Sequence, residues 1–173
     1  PTSLIYNWKN EFEKFAPDIK VLLIHGNKRD REKCFIELEN FDVILTTYGT
    51  LRNDLEKYSE IKFDYCIIDE AQNIKNPVAL VTESVKSINA ENKFALTGTP
   101  MENNLLELWS IFDFIMPGYL YSKAKFQELF INKEDNVKNL KKLIKPFILR
   151  RSKKQVMKEL PDKIEKNFFV ELN

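Results

Sequence analysis

Short apolar runs alternate with amphipathic stretches along the first hundred residues of the chain. Four of these runs are nearly continuous in apolar side chains and rich in β-branched residues: 21–25, 43–47, 65–69 and 94–97. Runs of this kind are typical of strands buried on both faces of a parallel sheet. Because strands that alternate with helices form βαβ units, the pattern predicts an α/β fold with a doubly wound, mostly parallel sheet.

Helical spacing fills the intervals between the predicted strands. The first helix can be capped by Ser3 and is stopped by Pro17. Its apolar face consists of Leu4, Trp8, Phe12 and Phe15. Trp8 is therefore expected to lie in the core. Further helices are predicted over residues 29–39, 48–58 and 77–90, the last with Pro77 in its first turn.

After about residue 103 the pattern becomes helical. Apolar spacing predicts helices over residues 105–115, 126–130 and 137–144, a basic helix over 150–160 and a final strand over 168–172. We interpret residues 1–103 as an α/β lobe, 104–160 as an α-helical insertion, and 161–173 as a strand that returns to the sheet.

The composition is that of a folded, near-neutral protein with one basic region. Hydrophobic residues make up 43% of the chain, which excludes a disordered protein, and 27 Lys+Arg against 26 Asp+Glu give a charge of +1. The positive charge is concentrated in residues 104–160, as a solvated lysine-rich surface or as a nucleic-acid contact. No apolar run approaches the roughly 18 residues of a membrane span. Neither Cys34 nor Cys66 has metal-ligand spacing, so we expect an intracellular protein, cytoplasmic or in the nucleoid or nucleus, without membrane contact.

Two adjacent acids, Asp69 and Glu70, end the third predicted strand. In open parallel sheets, ligands bind at the carboxyl ends of the strands. A magnesium–nucleotide complex needs one carboxylate to hold the hydrated Mg²⁺ and another to polarise the attacking water. Two acids in an ordinary strand-to-loop turn would show the same pattern, so both interpretations stay open here.

A threonine turn ends the fourth predicted strand. Gly98 permits a tight turn, and the hydroxyls of Thr97 and Thr99 can bond the backbone or a nearby carboxylate. By itself this segment is an ordinary capped turn. Together with two acids at the end of a separate strand, it predicts a shared site.

Five segments in order along the chain resemble those of the Swi/Snf-type (Snf2-like) DNA-dependent ATPases, translocases of helicase superfamily two. Residues 69–72 resemble the DEAH/DEAQ box of that family, and residues 96–100 resemble its motif III. The other three are residues 1–4 with Trp8 (motif Ia), 42–48 (motif Ib) and 146–151 (the end of the helical protrusion).

The resemblance implies the first RecA-like lobe of a motor that uses ATP and Mg²⁺ to move along double-stranded DNA. It assigns Mg²⁺ coordination through water to Asp69, and activation of water beside the metal to Glu70. It makes Gln72 a link to a second lobe of the same protein. In this family pattern, Thr97, Gly98 and Thr99 would couple hydrolysis to movement.

The resemblance also assigns the nucleic-acid contacts. They are Thr2, Ser3, Thr46, Thr47, Arg150 and Arg151. Hydroxyls and backbone N–H groups at helix starts bind phosphates without reading sequence, as a motor on any DNA requires. The two arginines could instead contact the second lobe or pair with surface acids.

A phosphate loop of the pattern G-x-x-x-x-G-K-[ST] is absent from the sequence. In the family that the chain resembles, this loop precedes motif Ia and the second lobe follows the protrusion. We therefore expect a first lobe truncated at its N-terminus, with residues 161–173 leading towards the absent lobe. Such a fragment should bind ATP and Mg²⁺ weakly or not at all, and should be inactive alone. Because a central strand would be missing, self-association through exposed sheet edges is expected.

Other functions remain open at this point. The chain could belong to a strand-unwinding helicase or a restriction-system motor subunit, although the long helical insertion favours the Swi/Snf type. It could be a non-catalytic nucleic-acid-binding scaffold lobe, against which the intact pair Asp69 and Glu70 argues. A metal-dependent nuclease or phosphatase would need further carboxylates or histidines than this pair.

Overall fold

The computed structural model describes residues 2–99, 105–131 and 133–151. The chain divides into two units, residues 1–132 and 133–173, and each is considered by itself. The strands are Val21–Ile24 (β1), Val43–Thr46 (β2), Phe63–Ile68 (β3) and Ala90–Ala95 (β4). The α-helices are Thr2–Phe15 (α1), Lys28–Ile36 (α2), Tyr48–Asn53 (α3), Leu55–Ser59 (α4), Leu80–Lys86 (α5), Leu105–Ile115 (α6), Lys123–Phe130 (α7) and Glu134–Ile144 (α8). Short 3₁₀ turns cover Leu38–Asn40, Ala71–Ile74 and Lys145–Phe147.

The four strands predicted in the first hundred residues are present, and all of the pairing between them is parallel. β1 pairs with β2, with Val21 opposite Val43, and β3 pairs with β4, with Tyr65 opposite Asn92. Within the described residues these pairs are two separate two-stranded sheets, where a single sheet was predicted. Each pair is closed by a helical crossover, as parallel strands require. The structure is thus two βαβ units in series.

The second βαβ unit, from β3 to β4, differs from its predicted boundaries in two places. β4 begins at Ala90, earlier than the predicted residue 94, because its polar residues are accommodated in the strand. Lys93, for example, places its ammonium 5.2 Å from the ring centre of Phe114. α5 begins only at Leu80 because a turn precedes it. In this turn the Asn76 side chain accepts a hydrogen bond from the Val78 N–H at 3.2 Å. Pro77 therefore lies in a turn and not in the helix.

Helix α1 follows the predicted span, but its apolar face is not buried as predicted. The helix begins at Thr2, so Ser3 lies inside its first turn and is not its cap. Ile5 is its buried residue, while Phe15 is largely exposed. The prediction that Trp8 belongs to the core is wrong, since 37% of its surface is exposed and its indole N–H bonds a carboxylate.

One hydrophobic core joins the two sheets. Ile24 of β1 and Ile68 of β3 are buried in it with Val85 of α5 and Phe114 of α6. Because the core is shared, the carboxyl ends of β2 and β3 are held in a fixed relation, which matters for the site described below.

An ion pair fastens the first βαβ unit to the helices that follow it. Arg31 of α2 meets Asp54, which lies between α3 and α4, with Nε–Oδ2 and Nη2–Oδ1 distances of 2.5 and 2.9 Å. The two side chains are only 11% and 7% exposed. A paired guanidinium and carboxylate of this kind bond through two parallel hydrogen bonds.

The segment after residue 104 is helical, as predicted, as far as the structure describes it. α6 is largely buried, and α7 begins at Lys123 because the Ser122 side chain caps it, accepting from the Lys125 N–H. α8 lies in the second unit and leads into a 3₁₀ turn. The predicted helix over 150–160 falls outside the described residues after Arg151, and the predicted strand over 168–172 lies outside them altogether. Among the helices described here, none is long and apolar enough to cross a bilayer.

Candidate functional site

The chain makes a sharp turn where β3 ends. Glu70 has a φ of 51°, in the left-handed region that non-glycine residues rarely adopt. Directly after it, the Ala71 N–H donates to the Leu96 carbonyl at 2.9 Å, and the Leu96 N–H donates to the Ile68 carbonyl at 2.8 Å. These two bonds hold the end of β3 against the segment that follows β4. The two acids and the threonine turn therefore lie side by side.

Gln72 joins the acids to the threonine turn. The Thr97 hydroxyl donates to Gln72 Oε1 at 2.9 Å, and Gln72 Nε2 donates to Glu70 Oε2 at 2.5 Å. The Thr97 hydroxyl also accepts from the Thr99 N–H at 3.1 Å. These contacts form a continuous line of hydrogen bonds, Thr97–Gln72–Glu70, that we call the relay. The structure thus brings together Asp69, Glu70, Gln72, Thr97 and Thr99, with Gly98 exposed between the threonines.

Asp69 is held by three donors. One carboxylate oxygen, Oδ1, accepts from the Glu70 N–H at 2.8 Å, and the other, Oδ2, accepts from Trp8 Nε1 at 3.0 Å. The backbone carbonyl of Asp69 accepts from the Tyr48 hydroxyl at 2.7 Å. Burial, followed by the negative charges of Asp69 and Glu70, raises the pKa of the Tyr48 phenol above its usual range. Tyr48, like any tyrosine, is a neutral hydrogen-bond donor at physiological pH, and its environment extends this to higher pH.

The acidic pair fits a magnesium ion that arrives with phosphates. Asp69 and Glu70 supply carboxylate oxygens, the ligands that Mg²⁺ prefers. In the described part of the chain, no group of three or more His, Cys, Asp and Glu side chains could hold a metal by itself. Mg²⁺ keeps several waters and is usually held by one or two carboxylates together with substrate phosphates. The donor set therefore suits a nucleotide-borne Mg²⁺ better than a permanent metal centre.

An open pocket of about 480 Å³ lies at the carboxyl ends of β2 and β3. It is lined by Thr2, Thr47, Tyr48, Gly49, Glu70, Gln72 and Asn73. Thr2 is the first residue of α1, and Thr47 caps α3, its side chain accepting from the Thr50 N–H at 3.2 Å. Two of the predicted nucleic-acid contacts therefore share a pocket with two of the predicted catalytic residues.

The other predicted nucleic-acid contacts do not line this pocket. The Thr46 hydroxyl donates to the Ile24 carbonyl at 3.0 Å, so its proton is used between β1 and β2. Ser3 is exposed on α1. Arg150 and Arg151 are exposed in the second unit, beyond its 3₁₀ turn.

Two residues of the site were not found from the sequence. The spacing of Trp8 on its helix predicted a core position. Its neighbours in the sequence do not indicate that its indole N–H bonds Asp69, 61 residues further along the chain. The available signals were resemblances: Trp8 belongs to the segment that resembles motif Ia, and Tyr48 to the segment that resembles motif Ib. Both residues contact Asp69 through long-range pairing that periodicity does not report.

Known proteins of similar sequence show the family of this chain. The family model described as the SNF2-related domain matches residues 1–173. An uncharacterised ATP-dependent helicase of Mycoplasma genitalium is 47% identical over 176 residues, which cover 100% of this chain and 17% of that protein. The TATA-binding protein-associated factor MOT1 of Saccharomyces cerevisiae is 39% identical, covering 99% of this chain and 10% of that protein.

A solved structure gives the same result. The SWI2/SNF2 ATPase core of Sulfolobus solfataricus in complex with double-stranded DNA superposes with a TM-score of 0.81 at 43% identity. The match covers 96% of this chain and 36% of the Sulfolobus chain. The fold is thus that of a RecA-like Swi/Snf ATPase lobe, which confirms the predicted fold class. The chain belongs to the SNF2-related family, and it spans less than a fifth of the length of the curated relatives named above.

Proposed function

We propose that this chain is the part of a longer, ATP-dependent DNA translocase that carries the Mg²⁺ carboxylate, the water-activating glutamate and part of the DNA contact. The observation that carries this proposal is the relay Thr97–Gln72–Glu70. Gln72 and Glu70 of this relay line the same pocket as Thr2 and Thr47. The Sulfolobus relative in complex with double-stranded DNA supports the choice of partner.

Each acid has its own role in this proposal. Asp69 would hold a hydrated Mg²⁺, and this ion would supply the positive charge that neutralises the phosphates of ATP. Glu70 accepts a proton from the attacking water, since its carboxylate is already oriented by Gln72. Because Gln72 also contacts Thr97, a displacement of the threonine turn would move the base. This is how hydrolysis would be coupled to movement and to a second lobe.

DNA is held without reading its sequence. The Thr2 hydroxyl and the first N–H groups of α1 are neutral donors suited to phosphate oxygens. The Thr47 hydroxyl donates to Thr50 Oγ1 at 2.9 Å, so it would exchange this bond for a phosphate contact. Ser3, Arg150 and Arg151 are exposed and available for further backbone contacts, while the Thr46 hydroxyl is bonded to the Ile24 carbonyl. A protein of this kind works inside the cell, where ATP and DNA are found.

The chain by itself is proposed to be inactive. Its sequence contains no G-x-x-x-x-G-K-[ST] loop, so it lacks the amides and lysine that cradle the β- and γ-phosphates. ATP and Mg²⁺ would bind tightly only in the longer protein, where such a loop and a second lobe complete the site.

The decisive experiment is DNA-stimulated ATP hydrolysis by the full-length protein. Glu70→Gln should lower turnover by at least about a hundredfold, because it removes the proton acceptor. Nucleotide binding should persist. Glu60→Gln is the matched control, since Glu60 is exposed and lies outside the pocket. Equal turnover of the two variants would contradict the role of Glu70.

A second measurement tests the mode of movement. A translocase displaces the third strand of a DNA triplex without separating a duplex, so the full-length protein should be active in the first assay and inactive in the second. Efficient strand separation would instead identify an unwinding helicase.

A further inference from the structure

Asp69 receives hydrogen bonds from two segments that also line the pocket. Trp8 donates from α1 to its carboxylate, and Tyr48 donates from the start of α3 to its carbonyl. Trp8 shares a helix with Thr2, six residues and therefore about 9 Å away along the axis. Tyr48 directly follows Thr47. Both donors thus belong to the segments to which the proposed function gives the DNA contacts.

The two bonds restrict different parts of the same residue. The indole N–H fixes one carboxylate oxygen while the Glu70 N–H fixes the other, which sets the orientation of the Asp69 side chain. The phenol fixes the backbone at the point where β3 ends. Each carboxylate oxygen has two lone pairs, so one contact on each leaves acceptor capacity for a hydrated cation.

We infer that Trp8 and Tyr48 are positioning residues that orient Asp69 for Mg²⁺·nucleotide, and that they transmit DNA contact at Thr2 and Thr47 to that carboxylate. The inference rests on the proposed function and adds Trp8 and Tyr48 as residues that act through Asp69. Hydrogen-bond partners that orient metal-binding groups commonly affect metal affinity or activity by tenfold to a hundredfold.

The inference has a thermodynamic signature that a purely structural role lacks. If DNA acts on Asp69 through these bonds, duplex DNA raises the affinity for Mg²⁺·nucleotide by some factor. By linkage, Mg²⁺·nucleotide raises the affinity for DNA by the same factor. Loss of either bond should reduce this factor in both directions, whereas a general loss of stability would leave it unchanged.

The experiment measures that factor in the full-length protein with Trp8→Phe and Tyr48→Phe. Binding of fluorescent ADP is titrated with and without Mg²⁺, and with and without duplex DNA. We expect Mg²⁺-dependent affinity to fall roughly tenfold or more. The factor by which duplex DNA raises the affinity for Mg²⁺·ADP should approach one. Binding of ADP without Mg²⁺ should stay as in the unmodified protein. Tyr48→Phe removes a single oxygen atom and serves as the second variant should Trp8→Phe fold poorly.

The matched controls are Trp109→Phe and Tyr58→Phe. Trp109 also donates through its indole N–H, at 3.2 Å to the Tyr121 carbonyl, and Tyr58 packs edge-on against Phe35 at 5.0 Å. Neither lines the pocket. Both should keep the DNA-induced factor, whatever their effect on stability.

The outcomes separate the two hypotheses. If the unmodified protein hydrolyses ATP in a DNA-dependent manner but both variants keep the factor of the controls, the positioning inference is overturned and the proposed function stands. If the unmodified protein shows no DNA-dependent hydrolysis, the proposed function itself fails. A loss of the factor in both variants and in neither control would support the inference.

Discussion

The two small sheets are built alike, yet their carboxyl ends serve different purposes. At the end of β2, the Thr46 hydroxyl bonds the backbone of the neighbouring strand and the Thr47 side chain caps a helix. At the end of β3, Asp69 and Glu70 accept several donors, and Glu70 lines an open pocket. A polar residue at a strand end therefore indicates a site only when its partners leave some of its hydrogen-bonding capacity available.

The two ends also differ in what holds them. The first βαβ unit is fastened by the ion pair of Arg31 and Asp54, far in sequence from the acids. The carboxyl end of β3, in the second βαβ unit, is held by hydrogen bonds to Asp69, Glu70 and Gln72 themselves. We therefore expect substitutions in the ion pair to change the free energy of unfolding, and substitutions in the hydrogen-bonded residues to change ATP turnover.

Among the variants that compare the two βαβ units, the largest effect is expected from breaking the relay. Gln72→Leu replaces the amide with an apolar side chain of similar size and removes both bonds, one of them to a charged group. Such bonds contribute about 1.5–3 kcal/mol, which corresponds to a fall in ATP turnover of roughly tenfold to a hundredfold. The measurement is steady-state hydrolysis by the full-length protein with duplex DNA. Gln127→Leu, on the exposed side of α7, is the control, and equal rates for the two variants would refute the relay.

A smaller effect, on stability alone, is expected from the ion pair. Asp54→Asn leaves the Arg31 guanidinium poorly exposed and unpaired. The cost lies between that of a surface pair and a buried one, about 2 kcal/mol in the free energy of unfolding. Urea titration of the protein measures it, with Asp18→Asn, an exposed aspartate outside the pair, as the control. A change no larger than that of the control would show that the pair does not stabilise the first unit.

The same pair predicts a pH dependence. The hydrogen bond and charge of Arg31 hold the pKa of the Asp54 carboxyl below its ordinary value. The stabilisation is therefore fully present above the unfolded pKa of about 3.9, and is lost as the pH falls through the lower folded value. Unmodified protein should lose more stability on acidification than Asp54→Asn does. Parallel curves for the two proteins would be evidence against this assignment.

The smallest effect concerns the open face of the second sheet. Tyr65, Ile67 and Phe94 are 62%, 60% and 52% exposed, and the rings of Tyr65 and Phe94 stack with centres 6.3 Å apart. Exposed apolar patches of this kind promote association, so we assign the predicted self-association of the chain to this face. Ile67→Lys should weaken it about tenfold, since burying an aliphatic side chain contributes roughly 1.5 kcal/mol.

Light scattering against concentration measures that association. Ile36→Lys is the matched control, because Ile36 is 83% exposed but lies on α2, away from the sheet face. If the unmodified chain is monomeric, or if both variants weaken association equally, this face is not the contact.

The features that could be predicted from sequence are those with a local cause. β1, β2 and β3 are nearly continuous apolar runs, and Asp69 and Glu70 directly follow one of them, so strand and acids were found together. β4 was found only in its second half, because Lys93 is polar in sequence while its ammonium lies over an aromatic ring in the fold.

Features that depend on distant partners could not be predicted in this way. The division into two sheets depends on which strands pair, and apolar periodicity does not specify pairing. Trp8 has the spacing of a core residue, but its indole N–H finds a carboxylate that belongs to another element. The roles assigned to the site residues stay predictions until the variants above are measured.

The left-handed backbone at Glu70 has a consequence for protein engineering. A side chain in that conformation costs roughly 1 kcal/mol or more, which glycine would avoid. Glu70→Gly would therefore relax the turn and delete the carboxylate in the same step. A library of variants screened for thermostability alone would enrich for this replacement. It would yield a more stable protein that no longer hydrolyses ATP.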